Sequence, residues 1–104
     1  MTHNQIDLLE AGDELDELVR AAIAYQHRDD PGFMPSYDWN SALDALEQIV
    51  GPYKACPASS ASVSFDPGVV VATVYDHDNA ILAISDHHNG PVAICRAILK
   101  SVRK

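Results

Sequence analysis

A chain of 104 residues with 47% apolar content can build one hydrophobic core but not two, so the sequence predicts a single domain. Fifteen carboxylates against seven Lys and Arg give a net charge of −8, which opposes the phosphates of nucleic acid and anionic lipid and excludes both as direct partners. The longest apolar run, Gly68 to Tyr75, is far short of the ~20 residues of a membrane span.

Residues Gln5 to Glu10 read as a short leading turn stopped near Gly12. Met1 to Glu10 has neither the basic start nor the apolar stretch of a secretory signal, so a cytoplasmic location is expected. From Asp13 to His27, Leu15, Leu18, Val19, Ala22 and Ile23 recur at the spacing of one helical face. Asp13, Glu14, Asp16 and Glu17 crowd the first turn of that helix, where the positive end of the dipole favours carboxylates. His27 to Pro35 is rich in breakers and reads as loop.

A second helix follows, with Asp38 as its cap, Trp39, Leu43, Leu46, Ile49 and Val50 on one face, and Gly51 with Pro52 as its stop. Ser62 to Phe65 alternates as a half-buried strand does, Asp66 to Gly68 turns, and Val69 to Tyr75 is a β-branched second strand. Asp76 to Asn79 predicts a tight turn into a third strand, Ala80 to Ser85, completing an antiparallel meander. Pro91 suits the start of a last helix whose stripe is Ile94, Cys95, Ile98, Leu99 and Val102, with basic residues gathered at its negative end. The order ααβββα predicts an α+β fold, an α/β sandwich in which helices pack on the sheet around one core.

Three segments, LLEAGDELDELVRAAI from Leu8 to Ile23, PSYDWNSALDALEQI from Pro35 to Ile49 and PVAICRAIL from Pro91 to Leu99, resemble in this order the phage ABA sandwich domain family of small phage and prophage proteins. The resemblance implies a phage or prophage origin and helices enclosing a short sheet. It implies no activity, since the family is not tied to one.

The residues capable of chemistry are few. Asp76-His77-Asp78 and Asp86-His87-His88 contain metal-capable side chains, but the strand between them holds the triplets roughly 17 Å apart, so they cannot share an ion. A meander would instead bring Asp86, His87 and His88 near Asp66 at one sheet edge, against the plainer reading that short polar residues end strands and start helices. Ser59 to Ser64 contain no nucleophile elbow, no glycine-rich phosphate loop occurs, and Cys95 sits on an apolar stripe. Cys56 and Cys95 lack CxxC spacing and are expected as free thiols.

No catalytic, cofactor or metal residue is therefore assigned. The remaining candidates are an acidic face, Asp13, Glu14, Asp16 and Glu17, and the aromatic Tyr37 and Trp39 beside it, weighed against ordinary solvated surface and, for Trp39, against core packing. The expected function is a non-enzymatic protein-interaction or inhibitor protein, of the anti-CRISPR or other anti-defence kind, that binds a host factor such as a basic nucleic-acid-binding protein. Two alternatives stay open: a small metal-dependent enzyme or metal-binding module on Asp86, His87 and His88, and a minor structural or assembly protein of the virion. Homo-oligomers are compatible with any of these.

Overall fold

The computed structural model describes residues 2–23, 32–51 and 56–102. The predicted extension of the first helix to His27, the loop residues from Arg28 to Pro31, the stop at Pro52, and the basic Arg103 and Lys104 lie outside the described residues.

The chain forms α1 (His3–Ile6), α2 (Asp13–Ala22), α3 (Trp39–Ile49), β1 (Ser60–Asp66), β2 (Val69–Tyr75), β3 (Ile81–His87) and α4 (Gly90–Val102). Local chemistry accounts for the boundaries. Thr2 and Gln5 form a capping box around α1. Asp38 accepts from the Ser41 backbone N–H at the start of α3, and Asn89 receives the Val92 and Ala93 N–H groups at the start of α4. Gly68 at φ 80° makes the first hairpin turn, and the Asp76 carboxylate accepts from the backbone of Asp78 and Ala80 to make the second, with Asn79 at φ 65°.

The strands pair antiparallel in the order β1-β2-β3, as the meander requires. Register places Ala61 opposite Val74 and Val74 opposite Ala83, with Val63, Ala72 and Ser85 forming the next inward row. A bulge between Val74 and Tyr75 shifts the pairing to Ile81. On the other face, the rows are Ser62, Thr73, Ile84 and Ser64, Val71, Asp86.

Helix α4 lies against β2 and β3, and α1, α2 and α3 pack on α4. All the helices thus stack on one side of the sheet rather than enclosing it, and Ile81 and Ile84 are exposed, the latter on the other face. Sandwiched between the two tiers, α4 is buried at every residue from Gly90 to Ser101. The sequence stripe described only one side of it; Val92, Ala93 and Ala97 make the other sides apolar too, as a helix covered all round demands. One hydrophobic cluster joins Ile6, Leu15, Val19, Ala45, Ile49, Ala72, Val74, Ile94 and Ile98. Among the described residues, no helix is long and apolar enough to cross a membrane.

Candidate interaction surface

The basic residues of α4 do not merely decorate its last turn. Arg96 donates from Nε to the Leu9 carbonyl at 2.8 Å and from a terminal nitrogen to Glu10 at 2.8 Å. Lys100, one turn on, meets Asp7 at 2.6 Å and donates to the Ile84 carbonyl at 3.0 Å. Both are buried, at 6% and 8% exposure. They clamp the segment after α1 onto α4 and the rim of β3, since the chain of a buried cation must find a partner for its charge. Arg20 on α2 is likewise engaged, by Glu17 and by the Phe33 carbonyl.

Glu10 also receives His87. The Asn89 backbone N–H donates to His87 Nδ1 at 2.8 Å, so the ring proton resides on Nε2 and points at Glu10, 3.0 Å away. Desolvation would raise the Glu10 carboxyl, but the hydrogen bond from His87 and the Arg96 guanidinium outweigh it and hold the group below its ordinary 4.5. A carboxyl lowered on folding contributes stability above its unfolded value and loses that contribution as the pH falls through the folded one. Urea melts should therefore show stability declining below about pH 4.5, with a shallower decline in Glu10→Gln; equal slopes in the two proteins would show that this carboxyl is not involved.

The acidic face of α2 survives in part. Asp13, Glu14 and Glu17 are exposed, whereas Asp16 is only 4% exposed and accepts the Ser36 N–H at 2.7 Å. Its carboxylate is spent inside the protein, so Asp16 leaves the predicted binding face. The spacing did contain the signal, because Asp16, Val19 and Ile23 stand at i, i+3 and i+7 on the buried side of the helix. Ser36, fully buried, completes the joint by accepting from the Gly12 N–H.

Tyr37 and Trp39 do not form one anchor. Tyr37, 57% exposed, stands by Gly12 at the start of α2. Trp39 turns the opposite way, its ring against Gly90 and 5.9 Å from the Phe65 ring. Nor does Trp39 share the core face expected of it, being 39% exposed. The core face of α3 is Ala42, Ala45, Leu46 and Ile49, while Trp39, Leu43, Leu46 and Val50 lie along the adjacent stripe that borders β1. Between that stripe and β1 runs an open groove of about 430 Å³ lined by Leu43, Leu46, Glu47, Val50, Ala61, Ser62 and Val63. Phe65, further along β1, is 72% exposed. Sequence reasoning did not assign Phe65 to a surface; its place on the inward row predicted burial, whereas the ring stands exposed with Trp39 as its aromatic neighbour.

Among the described residues, no three His, Cys, Asp or Glu side chains gather where they could hold a metal. Asp66 and Asp86 do line one depression with Val71, Ile84 and Ser85, as the meander predicted. His87 faces the other side of the sheet, with both ring nitrogens engaged, and His88 stacks on it at 4.2 Å.

The two cysteines are unbonded thiols, as expected. Burial, with the nearby Asp16 charge, pushes the Cys95 thiol far above its ordinary value, leaving it no reactive thiolate. Ellman titration of the native protein should accordingly label Cys56, which is half-buried, and reach Cys95 only after denaturation; native labelling of Cys95 would place that helix face nearer solvent than described. Compared with known proteins, the chain matches no family model, no curated protein and no solved structure, so its surface carries the functional reading.

Proposed function

We propose that this chain is a non-enzymatic protein-interaction protein whose acidic surface binds a basic partner, as a phage or prophage inhibitor of a nucleic-acid-binding host factor would. The observation that supports the reading is the inward engagement of the described cations. Arg20, Arg96 and Lys100 are all engaged with carboxylates and carbonyls of the chain itself. Exposed Asp13, Glu14, Asp44, Glu47, Asp66, Asp78 and Asp86 therefore face outward with no described Lys or Arg free to balance them. Such a surface attracts a basic groove over a Debye length of ~10 Å at 0.1 M salt.

The test is capture from a lysate of the host at low salt, followed by a salt step and kinetics on the protein recovered. A basic protein released by salt is expected, and replacing Asp13, Glu14 and Glu17 by Asn or Gln should slow its association about tenfold with little change in dissociation. Recovery of no salt-sensitive basic partner would overturn the reading.

A further inference from the structure

We propose that the open edge of β1 and the groove beside α3 receive an extended, basic segment of a partner protein, which adds to the sheet as a fourth strand. The inference rests on the interaction reading above and names where and how the partner would bind.

Among the described residues, β1 pairs with β2 along one edge only. On the approach to it, Ala58 is bridged by the end of α3: its N–H donates to the Ile49 carbonyl at 2.9 Å, and the Gly51 N–H donates to its carbonyl at 3.0 Å. From Ser60 to Asp66 no further strand lies alongside among the described residues. Alternate residues of an edge strand point their N–H and C=O groups outward, and these groups form a ready template for another chain. Natural edges are usually guarded by lysine, proline, a bulge or an inward charge. SASVSFD contains no lysine and no proline, its single charge stands at its last residue, and the bulge of this sheet lies on the β2–β3 side.

The groove supplies what a backbone template lacks, a means of reading side chains. Ala61 and Val63 form its floor on the inward row and Leu43, Leu46 and Val50 its helical wall, and Trp39 and Phe65, on the same two elements but outside the lining, pair with each other. A strand laid beside β1 would direct every second side chain into this trough and the others onto the open face. Strand addition of this kind takes affinity from backbone hydrogen bonds and specificity from the pockets for alternate side chains.

Charge decides the occupant. Asp44, Glu47 and Asp66 are exposed on the elements that form the groove, and Glu47 lines it. A second copy would bring another −8 and the same three carboxylates to this rim. A strand in which apolar residues alternate with Lys or Arg fits both the trough and its rim.

The experiment titrates isotope-labelled full-length protein with a nine-residue peptide of alternating valine and arginine, blocked at both ends, and follows amide shifts and Trp39 fluorescence. Shifts are expected along β1 at Ala61, Val63 and Phe65 and along α3 from Leu43 to Val50, with an altered Trp39 emission. The paired substitution Asp44→Lys and Glu47→Lys, on exposed helix positions, should weaken binding about tenfold or more without lowering the melting temperature, and a valine–glutamate peptide should not bind. Shifts confined to Asp13, Glu14 and Glu17 would overturn the strand site while leaving the acidic interaction reading intact. Absence of any shift at millimolar peptide would overturn the site, the lysate capture judging the broader reading separately. Sedimentation showing a dimer of the free protein with β1 amides protected from exchange would also overturn it, by assigning the edge to a second copy.

Discussion

Ile98→Asp should leave the chain unfolded at room temperature. Ile98 is fully buried on α4, the helix enclosed between the sheet and the other helices, so an introduced carboxylate has no route to solvent. The two cations of the same helix cannot rescue it. Arg96 and Lys100 stand two residues away on either side, about 200° around the helix axis, and are held by Glu10 and Asp7. An unpaired buried charge costs more than about 4–5 kcal/mol, against a total stability of about 5–15 kcal/mol for a domain of this size. Ile98→Val, which only trims a methylene, should cost about 0.5–1.5 kcal/mol and stay folded. Circular dichroism melts and amide dispersion would read both; a dispersed spectrum for the aspartate variant would mean that α4 is not the centre of the core.

Gly90→Ala should be the most disruptive single methyl in the protein outside the core. A Cβ built at Gly90 falls 2.1 Å from Cη2 and Cζ2 of Trp39, far inside van der Waals contact. The glycine is there because an indole lies flat on the first turn of α4, and helical propensity alone would favour alanine. Since Trp39 is 39% exposed, the ring can escape outward instead of forcing α3 away from α4. The expected result is a loss of about 1–3 kcal/mol with native circular dichroism, the range for overpacking. The chain contains one tryptophan, so its emission reports this contact alone and should shift to the red. An unchanged emission maximum would show that the indole does not rest on Gly90. The same displacement should weaken the peptide site at β1, because it breaks the contact of Trp39 with Phe65 on that strand.

Much of the architecture was legible along the chain because local chemistry wrote it there. The Asp38 cap, the Gly51 stop, the Asp66-Pro67-Gly68 turn and the alternation of β1 each depend on a few neighbouring residues, and α3, β2 and the meander came out as read. Asp66 and Asp86 meeting at one end also follows from register alone, since a two-hairpin meander returns every third segment to the same end.

What the tertiary structure decided concerns which side of each element meets which neighbour. Periodicity marks an apolar stripe but not its width, so Leu43 read as core when it borders an open groove, and Asp16 read as surface when it secures Ser36. Arg96 and Lys100 looked like favourable charges at a helix end. Only the fold brought Asp7, Leu9 and Glu10, far earlier in the chain, within hydrogen-bond distance and turned the cations inward. The sequence by itself determined the elements, their order and the excess of carboxylates, because these are local or additive properties. The placement of that charge on the outside, and of a strand edge unpaired among the described residues beside it, depends on contacts between distant residues that no local pattern encodes.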